Sequence, residues 1–308
     1  MSVIVVGAGI AGIACARALT EAGVPVRVLE RSRVVGGRLA SKRLAGRPVD
    51  VGAAYFTARD PEFSEVVTAW QHAGLAREWT SELAVLGGGR RGSAPGPVRY
   101  AAPGGLRSLV ADLAAGLDVR LEHEVARVGP GPVVDGDPCD AVVLAMPDPQ
   151  SARLLGTAPS APEWSPVISV AAGWSRRRWE PLPAAFVNDH PVLTLVADDG
   201  DRRGDGAPVL VAHTTADVAR EHDADPDGAV PLVLDALARL LGVTAEPEWT
   251  HAHRWRFASP GQDREETHLL RDDGIAFAGD GWGKARVETA WRSGTDLGRA
   301  LAARNAGS

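Results

Sequence analysis

Three features of this chain of 308 residues predict an α/β fold with two unlike parts. First, an apolar run at the N-terminus ends in a glycine-rich turn, and a helical pattern and a second apolar run follow it. Second, the continuous apolar segment 141–147 is typical of a strand that is buried on both faces. Third, residues 149–263 hold most of the tryptophans and several short alternating segments, which predict a mostly antiparallel sheet.

The N-terminal part has the order strand, glycine turn, helix, strand and acid. Its strands are predicted at Val3–Val6 and Val24–Glu30, with a helix from about Gly9 to Ala22 between them. Gly7 allows the tight turn and Gly12 allows close packing of the helix, while Gly9 lets the backbone approach a pyrophosphate at the helix N-terminus. Because Glu30 can accept hydrogen bonds from a ribose diol, this order predicts a Rossmann-type dinucleotide site.

The sequel to Glu30 indicates which dinucleotide is bound. Gly36-Gly37-Arg38 follows closely and resembles the signature in flavin amine oxidases, where the arginine supports the FAD pyrophosphate. Near the other end, a strand at Ile275–Ala278 runs into Gly279-Asp280, and a final helix reaches about Ala303. An aspartate there can accept from the ribityl chain, and the helix N-terminus can face the flavin edge. Both ends therefore predict FAD.

The segments between these ends have simpler patterns. Helices are predicted at Pro61–Ala73, Leu106–Ala115 and Val230–Leu241, strands at Val119–Val125, Val167–Trp174 and Val192–Val196, and strands with loops across Leu83–Val98. The run Asp199–Asp205 is dense in charge, which favours an exposed hairpin tip over a ligand contact.

Five stretches in the family's order resemble the renalase-like branch of the flavin amine oxidases over nearly the whole chain. They are Gly36–Arg38, Asp50–Thr57, Ala145–Pro147, His253–Ala258 and Gly279–Glu288. The resemblance implies a p-hydroxybenzoate-hydroxylase-like fold, with an FAD-binding domain and an antiparallel-sheet substrate domain. It also implies oxidation of a dihydropyridine such as an isomeric NAD(P)H, with oxygen as electron acceptor. Ala54 departs from the glutamine common in that branch.

The motifs assign domains and site residues. The FAD-binding domain is expected at 1–57, 100–148 and 265–308, and the substrate domain at 58–99 and 149–264. Cofactor contacts are expected from Gly7, Gly9, Ala11, Gly12, Glu30, Arg31, Gly37, Arg38, Gly52, Ala53, Val125, Ala145, Gly279, Asp280, Arg286 and Val287. Since the C-terminal flavin loop contains no cysteine, the FAD is expected to be noncovalent.

Candidates for the chemistry itself are fewer, because oxidising a dihydropyridine needs no strong general base. Lys284 is a candidate cation at the flavin edge, and a solvated loop lysine is the alternative. Tyr55, Phe56, Trp255 and Trp282 are candidate walls of the flavin ring, with ordinary core packing as the alternative for each. Tyr55 and Trp255 are offered as pocket residues. Arg286 and Glu288 are alternatively a structural pair, and the histidines of the second part are interpreted as structural groups.

Composition limits the other functions. A net charge of −6 argues against nucleic acid or an anionic membrane as partner, and no segment after the N-terminus reaches the ~20 apolar residues of a membrane span. Cys15 and Cys139 predict neither a disulfide framework nor a metal site. The apolar N-terminus lacks the basic region of a signal peptide, so a cytoplasmic protein is expected, and the scarcity of lysine indicates a bacterial source. Alternatives to the dihydropyridine oxidase are a pathway-specific amine oxidase or desaturase, and a non-catalytic flavin-binding redox sensor.

Overall fold

The computed structural model describes residues 1–88, 92–157 and 163–306, and two large sheets organise them. The strands are β1 (Val3–Val6), β2 (Val26–Leu29), β3 (Ser41–Leu44), β4 (Arg47–Asp50), β5 (Arg77–Leu86), β6 (Gly92–Ala101), β7 (Val119–Arg120), β8 (Val128–Gly129), β9 (Val133–Val134), β10 (Asp137–Pro138), β11 (Ala141–Leu144), β12 (Trp164–Gly173), β13 (Ala184–Val187), β14 (Leu193–Asp198), β15 (Val209–Thr214), β16 (Trp249–Pro260), β17 (Leu269–Leu270) and β18 (Ile275–Phe277). The helices are α1 (Ile10–Glu21), α2 (Pro61–His72), α3 (Leu106–Leu113), α4 (Asp148–Leu155), α5 (Asp199–Arg203), α6 (Ala216–Glu221), α7 (Val230–Leu241) and α8 (Val287–Ala306). This order confirms the predicted α/β class.

The first sheet has the strand order β17-β18-β11-β1-β2-β7. Strands β18, β11, β1, β2 and β7 run parallel, and β17 pairs antiparallel at one edge. All four residues of β11 are buried, which explains its continuous apolar sequence. Because parallel strands end at the same edge of a sheet, Gly7, Glu30, Ala145 and Gly279 lie along that edge, where α/β sheets bind ligands.

Helices α1 and α8 cover one face of the first sheet and cross each other closely. A Cβ atom on Gly294 of α8 would overlap the carbonyl oxygen of Ala11 on α1, so the crossing requires glycine there. Ile13 and Leu19 of α1 are fully buried against this layer, together with Leu297 of α8. The tight packing holds the N-terminus of α1 rigidly at the sheet edge.

The second sheet has the order β16-β12-β15-β14-β13-β5-β6, and its pairs are antiparallel except for β13 with β5. One face packs against α7 through a core that includes Ile168, Leu210 and Leu237. The opposite face contacts the β3–β4 hairpin, where Val49 packs with Ala171 and Val211. The second sheet therefore presents a face to the first part of the chain.

The prediction for Asp199–Asp205 is wrong. This segment holds the short helix α5, and the side chains of Asp199 and Arg202 are fully buried. Aspartates and arginines three and four positions apart pair with each other on a helix. The opposite charges of this segment therefore neutralise one another inside the protein, and the segment does not need to be exposed to solvent. The predicted strand at Val119–Val125 is also too long, since only Val119–Arg120 pairs with β2.

The cysteines occupy different environments. Cys15 is buried in α1, and burial raises the pKa of its thiol to about 12. Cys139 is half-buried, and its Sγ lies 3.4 Å from the carbonyl oxygens of Pro132 and Ala141. Among the described residues, no group of three or more His, Cys, Asp or Glu side chains is placed to hold a metal ion. No helix in those same ranges combines the length and apolarity needed to cross a membrane.

Candidate functional site

The glycine turn after β1 leaves open space at the N-terminus of α1. Gly9 is the N-cap and provides no side-chain hydrogen bond, and a Cβ atom on Gly9 would meet nothing within 4 Å. By contrast, a Cβ atom on Gly7 would lie 2.7 Å from the carbonyl oxygen of Ala145, and one on Gly12 would overlap the carbonyl oxygen of Gly7. Gly7 and Gly12 thus permit packing, while Gly9 keeps the helix terminus accessible to an anion.

Glu30 follows β2 at the same edge and is held by two backbone amides. The amide of Ala8 donates to its Oε2 and the amide of Ser32 to its Oε1, both at 2.8 Å. Each carboxylate oxygen has a further lone pair, so the fixed carboxylate can still accept from a ribose diol. Arg31 is exposed beside it, and Val125 is buried in the apolar cluster under the same edge.

Arg38 and Asp280 are 242 positions apart in the chain and form a bidentate ion pair. The distances are 2.9 Å from Nη1 to Oδ2 and 2.5 Å from Nη2 to Oδ1. Nη1 also donates to the carbonyl oxygen of Ala258 at 3.0 Å, and the guanidinium lies over the Trp164 ring. The fork geometry fixes both side chains. The structure therefore brings together the N-terminal and C-terminal motifs that the sequence assigned separately to the cofactor.

The segment from Gly279 to α8 shows how the remaining C-terminal residues lie. The amide of Gly279 donates to Ser293 Oγ at 2.9 Å, and α8 begins at Val287. Lys284 is exposed, and its carbonyl oxygen accepts from Thr289 Oγ1.

The suggested pairing of Glu288 with Arg286 is wrong. Glu288 Oε1 instead accepts hydrogen bonds from the backbone amides of Arg59 and Asp60, the latter at 2.6 Å. Glu288 thus anchors the segment before α2, and Arg286 is half-buried at the start of α8.

The last residue of β4 and the loop that follows it, residues 50–54, lie between the two sheets, and we call this segment the 50–54 loop. Its Ala53 amide donates to the carbonyl oxygen of Arg38 at 2.9 Å, and a Cβ atom on Gly52 would overlap that same oxygen. Trp255 of β16 donates from Nε1 to the carbonyl oxygen of Val51 at 2.7 Å. The loop is therefore fixed to Arg38 on one side and to the second sheet on the other.

A buried ion network from α5 holds the same loop. Arg202 donates to the carbonyl oxygens of Ala54 at 2.8 Å and Asp50 at 3.2 Å, and it pairs with Asp199. Arg203 also pairs with Asp199 and lies 2.9 Å from Asp50 Oδ2. Burial opposes ionisation of Asp199, but the nearby arginines hold its pKa below the ordinary value. This network was not predicted from the sequence, although the Asp–Arg spacing within 199–203 is a usable signal for it.

Histidines lie on the face of the second sheet that looks toward the loop. His213 on β15 and His253 on β16 are both in register with Ser169 on β12. Burial and the charge of Arg202 lower the pKa of His213 to about 4, against a hydrogen bond with the Gly52 backbone. Burial and the charge of Lys42 lower the pKa of His253 to about 4 as well. Both rings are therefore neutral at neutral pH.

The candidate aromatic walls have different surroundings. Tyr55 is half-buried 6.4 Å from the Trp79 ring, and Trp255 packs edge-on to His253 at 4.5 Å, so both lie beside the loop. Phe56 is 2% exposed and stacks on Tyr100, so it belongs to the core and the prediction of a wall residue is wrong. Trp282 lies under the guanidinium of Arg264 at 4.3 Å.

Comparison with known proteins gives consistent matches. A family model for an NAD(P)-binding Rossmann-like domain matches residues 5–70, and one for a flavin containing amine oxidoreductase matches residues 61–300. Polyamine oxidase 4 of Oryza sativa subsp. japonica is 50% identical over 54 residues, which is 18% of this chain. The matched segment spans about a tenth of that relative's length, 11%.

Solved structures match over the whole chain. A protein from Exiguobacterium sp. 255-15, described as a candidate protoporphyrinogen oxidase, has a TM-score of 0.80 at 17% identity and 99% coverage of both chains. Cyclohexylamine oxidase from Brevibacterium oxydans IH-35A has a TM-score of 0.76 at 15% identity, again with 99% coverage of both chains. At these identities the likeness establishes the fold.

Proposed function

The chain belongs to the flavin containing amine oxidoreductase family, and we propose that it oxidises a small dihydropyridine, such as an isomeric NAD(P)H, with oxygen as electron acceptor. Family membership confirms the FAD cofactor and the flavin oxidoreductase class that the sequence predicts. In the overall reaction, a dihydropyridine, one proton and oxygen yield a pyridinium cation and hydrogen peroxide. When bound, FAD would supply the two-electron acceptor.

The residues along the edge of the first sheet fit FAD. The open space at Gly9 would receive the pyrophosphate at the N-terminus of α1, and Glu30 would hold the adenosine ribose. Arg38 would balance the pyrophosphate charge, and Asp280, which Arg38 orients, would accept from the ribityl chain. We place the flavin ring beside the 50–54 loop, between the first sheet and the histidine-bearing face of the second.

The weak basicity of the histidines that face this loop favours a dihydropyridine over an amine as the substrate. An imidazole with a pKa of about 4, as in His213 and His253, is poorly matched to take a proton from an alkylammonium. The positive charges of Arg202 and Lys42 contribute to these low pKa values, and neither pKa is raised by a nearby carboxylate that could hold an ammonium ion. A dihydropyridine is neutral at its ring and becomes aromatic on losing a hydride, so it needs no base.

A second candidate is a pathway-specific amine oxidase or desaturase, and Ala54 favours it. Ala54 is 7% exposed and packs in an apolar cluster with Leu83 and Ala197. Where the renalase-like branch commonly has an amide, this chain has a buried methyl group that can neither donate nor accept a hydrogen bond, which suits a different small metabolite. A third candidate is a flavin-binding sensor that turns over no substrate, and an experiment must distinguish it from the two enzymes.

Steady-state oxidation under air tests the proposal. The FAD-loaded protein would be supplied in turn with isomeric dihydronicotinamides, ordinary NADH, putrescine and cyclohexylamine, while oxygen uptake and hydrogen peroxide are measured. We expect equal oxygen uptake and peroxide release with the dihydronicotinamide isomers. Turnover with an amine alone would favour the second candidate, and a flavin-containing protein that turns over no member of a wider metabolite panel would favour the sensor.

A further inference from the structure

Arg99 on β6 is a buried cation without a carboxylate partner. The residue is 5% exposed, and within the ranges that the structure describes its Nε has no hydrogen-bond partner and its Nη1 reaches only the carbonyl oxygen of Pro97, at 3.5 Å. No ion pair found among the described residues includes it. A buried charge is costly unless it is paired and hydrogen-bonded, so Arg99 requires a physical explanation.

Other arginines that are buried or half-buried near this sheet form ion pairs with buried aspartates. Arg202 and Arg203 pair with Asp199, and Arg177 pairs with the buried Asp198 while lying over the Trp179 ring. Arg99 also lies over aromatic rings, but no acid in the described part of the chain pairs with it. An anionic partner from outside the chain would account for this difference.

The surroundings of Arg99 are aromatic and partly accessible. Its guanidinium carbon lies 5.4 Å from the centre of the Tyr55 ring and 6.0 Å from that of Phe186, and Trp79 lies next to Tyr55. Aromatic faces stabilise a cation but accept no conventional hydrogen bond from its N–H groups. Tyr55, Phe186 and Trp79 are all half-buried, so they border accessible space beside the loop.

The backbone around Arg99 is shaped to its guanidinium. Thr80 lies opposite Arg99 in the β5–β6 pair, and the register shifts on both sides of Thr80. Such irregularities re-aim side chains and are common beside functional sites. Gly96 also leaves room, because a Cβ atom there would lie only 3.1 Å from Nη2 of Arg99.

We propose that Arg99 binds an anionic group of the substrate, a carboxylate or a phosphate, while the substrate's ring packs against Tyr55 and Phe186. A guanidinium can hold either group through two parallel hydrogen bonds. The inference rests on the proposed function for the position of the substrate beside Tyr55. It makes negative charge a specificity requirement of that site.

Equilibrium binding to the FAD-loaded protein tests the proposal without turnover. The probes are benzoate, phenyl phosphate and the neutral benzamide, followed by the flavin visible spectrum and by tryptophan fluorescence. We expect at least one anion to bind at least ~10-fold more tightly than benzamide, the scale of a charge-assisted hydrogen bond. Preference for benzoate would identify a carboxylate site, and preference for phenyl phosphate a phosphate site. Equal binding of all three would overturn the proposal on wild-type protein alone.

Variants then assign the preference to Arg99. Arg99→Met should bind anions and benzamide alike, and Arg99→Lys should keep a weaker preference. Arg177→Met is the matched control, since it removes an arginine over an aromatic ring on the other face of the sheet and should leave the preference intact. Without ligand, Arg99→Met should unfold at the same temperature as wild type or higher, whereas Arg177→Met should unfold at a lower one. Survival of the anion preference in Arg99→Met would contradict the inference.

This test is separable from the test of the reaction. A protein that binds FAD and prefers the anions but oxidises no dihydronicotinamide would refute the proposed function and leave the anion site standing. If Arg99→Met does not fold, the wild type and Arg99→Lys still decide the outcome. Anion preference unchanged in strength in Arg99→Lys would mean that the guanidinium is not the binding group.

Discussion

Replacing Arg202 with methionine should destabilise the protein strongly, because it breaks a fully buried ion pair and two hydrogen bonds to backbone carbonyls. The Arg202 side chain is fully buried, and its guanidinium bonds to Asp199 and to the carbonyl oxygens of Ala54 and Asp50. Removing one partner of a buried ion pair typically costs ~3–5 kcal/mol. For a protein of this size, roughly 2 °C of unfolding temperature per kcal/mol gives a decrease of ~6–10 °C.

Thermal unfolding followed by circular dichroism measures this decrease, with Arg299→Met as control. Arg299 forms an ion pair with Glu62 in which both side chains are more than half exposed, so its loss should be hardly detectable. Because Arg202 also holds the 50–54 loop, hydrogen exchange of that loop should be faster in Arg202→Met than in the control. An unfolding temperature within ~2 °C of wild type would refute the view that this network stabilises the fold by holding the 50–54 loop.

Three further perturbations test the site. His213 has a folded-state pKa of about 4 against an ordinary value of 6.5, so the unfolded chain takes up the proton first as the pH falls. The contribution of His213 to the free energy of unfolding should be complete above about pH 6.5 and should decrease as the pH approaches 4. In His213→Gln, the free energy of unfolding should depend less on pH over this range. Gly9→Leu should weaken FAD binding at least ~10-fold in a titration yet leave the unfolding temperature of the cofactor-free protein unchanged, because φ at Gly9 is −73° and the new side chain enters open space. Arg38→Met should weaken FAD binding by ~10- to 100-fold, and affinity equal to wild type would contradict a role beside the pyrophosphate.

The first sheet follows from local signals in the sequence. The glycine turn, the apolar strand at 141–144 and the acid at Glu30 each depend on neighbours a few residues away, and the structure places them at one edge. The helical spacing of apolar residues also predicted α2 and α7 to within about one residue of their observed ends, because each helix has one buried face. The fold class could therefore be predicted.

Contacts between residues far apart in the chain could not be predicted in the same way. The pairing of Arg38 with Asp280 and of Arg202 with the Ala54 carbonyl joins residues more than a hundred positions apart. The charged run at 199–205 resembles a solvent-exposed loop in composition, although the spacing of Asp199 from Arg202 and Arg203 allows the helical ion pairs that the structure shows. Arg99 was not singled out at all, since burial without a partner is a property of the folded chain.

Anaerobic titration of the FAD-loaded protein with an isomeric dihydronicotinamide tests the central claim most directly. One equivalent of the isomer should remove the visible absorption of one equivalent of flavin and yield one equivalent of pyridinium product, and air should restore the absorption. A flavin spectrum unchanged by every dihydronicotinamide isomer, in protein shown to bind FAD, would contradict the proposed reaction.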